Sequence, residues 1–229
     1  MAQYIELGLD TFGDIQAGCY TQVIRKVIDE SVLADEVGVY CIGLGEHHRA
    51  DFAISSPEVL LGAIASRTRR IHLASSVTVL SSDDPIRVFQ RFSTVNALSG
   101  GRAEVILGRG SFTESFPLFG YDLSNYETLF DDKLDLFASL LKREPVTWRG
   151  QTRPPLTDQR IFPPIESGTL KTWIGVGGSP ESVVRAAHYD PPLMLAIIGG
   201  DPNFVLMSTS ITAPLPSSAD RCVRSNSVV

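Results

Sequence analysis

The residues best suited to chemistry are Glu46, His47 and His48, which stand directly after an apolar run over residues 39–44. A short apolar run with β-branched and aromatic residues reads as a buried strand. In parallel α/β folds, catalytic groups gather at the carboxyl ends of such strands. Imidazole is also the side chain whose unperturbed pKa lies nearest physiological pH, so proton exchange is the chemistry this strand end suits. Neighbours on an extended chain point to opposite faces, which predicts that one histidine faces the interior and the other faces away. That spacing argues against a metal pair, which normally uses separated ligands such as H-x-x-x-H with a further Cys, His or carboxylate. No metal is therefore expected. The competing reading is a strand-end loop with two solvated or packed histidines.

Two further stretches suit an anion. Gly175-Val176-Gly177-Gly178-Ser179-Pro180-Glu181-Ser182 leaves a strand and enters a helix. Glycines admit a ligand close to the backbone, Ser179 can cap the helix with Pro180 at its first position, and helix N-termini favour phosphate. It is neither a Walker loop nor a G-x-G-x-x-G fingerprint, and a plain strand-to-helix turn explains the same residues. Arg109, in Gly108-Arg109-Gly110, sits at the carboxyl end of its strand, where a guanidinium can grip a phosphate bidentately. The alternative there is a surface ion pair. Ala74-Ser75-Ser76-Val77 places small residues in a strand of Ile, Leu and Val. They either make room for a flat ring or carry hydroxyls satisfied by neighbouring strands.

Alternating strands and helices must position these groups. Strands are expected over 4–9, 39–44, 71–80, 103–107, 172–176 and 193–198. Helices are expected over 20–37, 57–65, 85–99, 126–142 and 180–188, several opened by Ser or Asp before Pro and closed by Gly. Residues 145–170 read as an irregular insertion with a short hairpin around 146–149. This repetition predicts a parallel sheet with right-handed crossovers, either an open doubly wound sheet or a closed barrel.

The chain has 229 residues, 43% hydrophobic and 20% charged, as in soluble globular proteins. Its net charge of −6 argues against a nucleic-acid backbone or an anionic membrane as partner. Cys19, Cys41 and Cys222 show no C-x-x-C spacing, which fits a reducing compartment. With no secretion signal and no apolar run long enough to span a bilayer, a cytoplasmic location is expected.

Four landmarks stand in order: EHH after the second strand, small residues in the third, LSGGRAEVILGRG around the fourth and GVGGSPESVVRAA after the fifth. Together with FPLFGYD at 116–122 and PPLMLAIIGGDP at 191–202, they resemble the bacterial luciferase-like flavin-dependent monooxygenases, a (β/α)8 TIM-barrel family, over about residues 3–204. The resemblance implies an α/β fold of that type. It also implies reduced FMN supplied by a flavin reductase, molecular oxygen, a small organic substrate, a flavin C4a-hydroperoxide as oxidant, and a homodimer. The family's catalytic base matches His47. Ser76–Val77 matches the place where the family often has a non-prolyl cis peptide beneath the ring. The family's phosphate contacts match Arg109, Gly178, Ser179 and Ser182. A deazaflavin-dependent oxidoreductase on the same barrel, or a non-catalytic flavin-binding relative, are the alternatives.

About six of the barrel's strands are expected over 1–204. After residue 204 the sequence shows no helical period and is rich in Ser, Thr and Pro, so 205–229 is expected to be an irregular tail, produced by a change of frame or a premature end. The sheet would then keep open edges at its first and sixth strands, with impaired turnover and a tendency to associate.

Overall fold

The computed structural model describes residues 6–15, 19–142, 144–166, 168–177 and 192–196. Strands and helices alternate along most of it: β1 (Gly8–Thr11), α1 (Tyr20–Val37), β2 (Cys41–Leu44), α2 (Pro57–Arg67), β3 (His72–Ser75), β4 (Thr78–Val79), α3 (Pro85–Ser99), β5 (Ala103–Gly108), α4 (Ser115–Leu118), α5 (Tyr126–Leu140), β6 (Val146–Trp148), β7 (Leu156–Gln159), β8 (Lys171–Val176) and β9 (Leu193–Leu195). The main sheet is parallel throughout, in the order β1-β2-β3-β5-β8-β9, with β4 also on β5. Each neighbour is the next strand of the β–α repeat, the sheet curls as part of a barrel, and the described residues fill six strand positions. β6 and β7 form a separate antiparallel hairpin within the insertion.

The helices begin and end where backbone chemistry requires. Asp84 caps α3 by accepting from the N–H groups of Ile86 (2.9 Å) and Arg87 (3.1 Å), with Pro85 in the first turn. Gly100 ends α3 and Gly38 ends α1, both left-handed, at φ 67° and 84°. Ser56 precedes Pro57 at the start of α2 but makes no capping bond through its side chain. The Asp35 carboxylate, near the end of α1, accepts from the backbone N–H groups of Arg69, Arg70 and Ile71, which fixes the entry to β3.

Because side chains alternate along a strand, the sheet separates two apolar layers. Ile42, Leu44, Leu73, Val105, Leu107, Ile174 and Val176 pack against the helices, where Phe92, Phe130 and Phe137 are nearly fully buried. On the concave side lie Cys41, Ala74, Ile106, Trp173 and Met194. Below them, at the amino ends of the strands, Glu104 is 1% exposed. Its carboxylate accepts from Trp173 Nε1 at 2.7 Å, and His72 Nδ1 (2.9 Å) and Lys171 Nζ (3.5 Å) also approach it.

Two expectations need correction. The first strand is Gly8–Thr11 rather than 4–9: Glu6 and Leu7 are not in it. Its register is set by pairing with β2, Gly8 against Cys41 through Thr11 against Leu44, rather than by local apolarity. The third strand is broken at Ser76 and Val77, whose peptide bond is cis, and residues 80–82 form a short 3-10 turn. The expected helix over 180–188 and the tail 205–229 lie outside the described residues.

Candidate functional site

A cavity of about 300 Å³ opens at the carboxyl ends of the parallel strands. Asp10 borders it from β1 and Phe12 from just after it, Glu46 to His48 from the loop after β2, Ser76 and Val77 from the break after β3, residues 110–112 and 114 from the loop after β5 and Ser115 from the start of α4, Gly175 from β8, and Met194 to Ala196 from β9 and the residue after it. Its floor is backbone and small side chains. A Cβ on Gly108 would fall 2.4 Å from Val77 Cγ2, and one on Gly45 would fall 2.2 Å from the Phe12 ring. Glycine at both positions is what lets Val77 and Phe12 lie against the strands.

The loop after β2 is held by an extension of β1. Ala53 N–H donates to Gly13 O at 2.8 Å, Ile15 N–H to Asp51 O at 2.8 Å and His47 N–H to Ile54 O at 2.9 Å. This brings Phe52 beneath His47: the rings stack at 4.4 Å and 30°, with Phe12 at 4.7 Å and Phe112 at 5.0 Å edge-on. His47 Nδ1 is buried without a hydrogen-bond partner. Burial in this apolar box lowers the His47 pKa, with Glu114 and Glu46 pulling the other way, so the imidazole is neutral at pH 7.

His48 behaves differently. Its Nε2 lies 2.9 Å from Glu46 Oε1, and Glu46 Oε2 accepts from Val79 N–H at 3.0 Å. Glu46 thus ties the end of β2 to β4 while orienting His48. The two rings diverge, but both border the cavity, because residues 45–48 have left the extended conformation. The expectation that only one faces inward is corrected accordingly. Among the described residues, no group of three or more His, Cys, Asp or Glu side chains is placed to hold a metal ion.

The other expected residues divide. Ser76 and Val77 lie on the cavity floor, whereas Ser75 faces β5, where its hydroxyl accepts from Ile106 N–H at 3.2 Å. Arg109 does not border the cavity. It donates to Glu127 Oε1 at 2.5 Å and lies 5.5 Å over the Tyr126 ring. The surface-pair alternative thus describes its observed contacts. Gly178, Ser179 and Ser182 lie outside the described residues. Sequence reasoning missed the aromatic box. The signal was present in phenylalanines at the end of the first strand and four residues beyond His48, but only their convergence on one imidazole makes them an enclosure.

A family model described as luciferase-like monooxygenase matches residues 5–204. The N-acetyl-S-alkylcysteine monooxygenase of Bacillus subtilis is 33% identical over 168 residues, covering 72% of this chain and 48% of that protein. Among solved structures, monooxygenase RslO1 from Streptomyces bottropensis superposes with a TM-score of 0.82 at 22% identity, over 90% of this chain and 64% of the other. The oxygenating constituent of 3,6-diketocamphane monooxygenase from Pseudomonas putida, in complex with FMN, gives 0.73 at 20% identity, over 84% and 57%. The chain spans about half the length of the curated relatives it matches. The curled parallel sheet and the match over residues 5–204 together place this chain in the luciferase-like monooxygenase family.

Proposed function

We propose that this chain forms the ring-binding half of a flavin-dependent monooxygenase that uses reduced FMN, molecular oxygen and a small organic substrate. The observation that carries this reading is the cavity itself: a backbone floor at Ser76–Val77 and Gly108 under apolar walls, with a buried, partnerless His47 Nδ1 beside it. These features fit a flat, largely apolar ring system. Ser76 and Val77 would support the ring from below, and Met194 and Ala196 would flank it. Arg109, Gly178, Ser179 and Ser182 are the proposed phosphate contacts, and for Arg109 this requires exchange of Glu127 for phosphate. When bound, the reduced flavin supplies the electrons that activate oxygen.

His47 acts as the base. Held neutral by its phenylalanine enclosure, the imidazole is ready to accept a proton from the substrate at neutral pH. Phe12, Phe52 and Phe112 exclude water around it and present an apolar surface to the substrate. A partner reductase would deliver the reduced flavin, and a homodimer is the proposed assembly.

Titration of oxidised and reduced FMN against a deazaflavin, followed by oxygen consumption, tests the reading. FMN binding with oxygen uptake is the expected outcome, and a preference for deazaflavin without oxygen uptake transfers the chain to the hydride-transfer reading. His47→Ala should lower turnover by about 10²- to 10⁴-fold with little change in FMN affinity. Collapse of FMN affinity in that variant makes His47 a cofactor contact rather than a base.

A further inference from the structure

A second cavity, of about 410 Å³, lies on the far side of Glu46 and His48. Its character is opposite to that of the first. Glu58 and Arg91 enter it from α2 and α3, and Asp83 and Asp84 from the residues before α3. Those charges are mutually satisfied, since Arg91 pairs with both Glu58 and Asp83, and Asp84 caps α3 and pairs with Arg153. The cavity therefore has no unmet demand for a cation. It is a charged recess beside a largely apolar cavity.

The wall between the two is made of groups that exchange protons. Glu46 and His48 border both cavities. Ser82 borders the outer cavity and Ser115 the inner one, and Ser82 Oγ donates to Ser115 Oγ at 2.8 Å. Glu46 and His48 are each about nine-tenths buried, so neither is a solvated surface group. The inner chamber needs such a connection: its base, His47, sits among three phenylalanines with Nδ1 unpartnered, and a ligand in the chamber would cut it off from bulk water.

We propose that Glu46 and His48 form a proton relay through which the inner cavity exchanges protons with water in the outer one. The inference rests on the monooxygenase reading for its purpose, but on the shared wall for its geometry. In each passage His48 gains one proton at the ring nitrogen turned from Glu46 and gives the Nε2 proton to the Glu46 carboxylate. Glu46 hands that proton to the acceptor in the inner cavity, and His48 then loses its new ring proton to water in the outer cavity and, with the ring turned, regains one from that water at Nε2, which restores the starting tautomer; the same steps in reverse carry a proton out. One proton enters and one leaves, with no change in either side chain. His47 and Glu114 face the relay from the inner side, and Glu58, Asp83, Asp84 and Arg91 from the outer side.

The test uses the full chain with ¹⁵N-labelled histidine, measuring exchange of the His48 ring N–H with water by NMR. Ser55→Trp fills the outer cavity and should slow this exchange several-fold, whereas Ser111→Trp, at the inner mouth, should not. The reverse pattern, or no effect from Ser55→Trp, overturns the proposal. Glu46→Gln keeps an acceptor for Val79 N–H while removing the ionisable group. It should reduce turnover by about 100-fold and enlarge the solvent deuterium isotope effect. Turnover unchanged in a folded Glu46→Gln protein also overturns the proposal. Absence of oxygen uptake in the unmodified chain counts against the monooxygenase reading alone, because the exchange measurement needs no flavin and still decides whether His48 is fed from the outer side.

Discussion

Two adjacent histidines have different surroundings: His48 faces the Glu46 carboxylate, and His47 faces three phenylalanines. His47 has phenylalanines where a carboxylate would otherwise stabilise its charge, so its folded pKa lies below the ordinary 6.5. The unfolded chain therefore binds a proton that the folded chain refuses. The stability associated with neutral His47 is complete above pH 6.5 and is lost as pH falls through the lowered folded value. An NMR titration should place the His47 midpoint below 6.5, and Glu114→Gln, which removes a raising influence, should move it lower still. The cavity floor makes an equally local prediction. Gly108→Ala sets a methyl 2.4 Å from Val77 Cγ2, whereas Gly175→Ala meets Val77 Cγ1 at 3.0 Å. Overpacking of the first kind costs about 1–3 kcal/mol and displaces Val77, the residue proposed to support the ring. Denaturant unfolding and FMN titration should both show Gly108→Ala as the more damaging change.

Between elements, one carboxylate does the work of a loop. Asp35 is buried at the end of α1, which favours its neutral form, but N–H donors from Ile71, Arg70 and Arg69 outweigh that and hold its pKa below the usual range. Its stabilising contribution is complete above the unfolded carboxyl pKa and is lost as pH falls through the depressed folded value. Hydrogen bonds to a charged group contribute about 1.5–3 kcal/mol, so Asp35→Asn should lower stability by about that amount in urea unfolding. The loss should appear first as faster amide exchange at Arg70 and Ile71, where β3 begins.

Across the whole molecule, the strand ends are specialised. The carboxyl ends carry glycines and the cavity, and the amino ends carry Glu104 with His72, Lys171 and Trp173. Burial raises the Glu104 pKa, but the His72 contact, Lys171 and Trp173 outweigh it and leave it lowered. Removing one partner from a buried charge cluster costs about 3–5 kcal/mol. Glu104→Gln should therefore unfold at markedly lower denaturant concentration at pH 7. The loss should shrink below the ordinary carboxylate range, because the native protein forfeits the same interaction as Glu104 is protonated.

Apolar periodicity and turn residues determined the order of strands and helices; α3 falls where its capping Asp84 and its stop residue Gly100 require, and α1 ends where Gly38 requires. The strand-end position of Glu46-His47-His48 was also legible, because a buried strand followed by titratable residues is a local pattern. Distance along the chain hid the rest. Phe12, Phe52 and Phe112 become one enclosure only when β1, the loop after β2 and the loop after β5 converge. The ion pair that Arg109 makes with Glu127, eighteen residues on, was hidden in the same way. The shift of β1 and the break after β3 are likewise tertiary outcomes, since pairing with neighbouring strands sets register more strongly than local apolarity does. Sequence thus determined which groups are present and in what order. The fold alone decided which of them share a cavity, because solvation and partnership of a charge depend on neighbours that lie far apart in the chain.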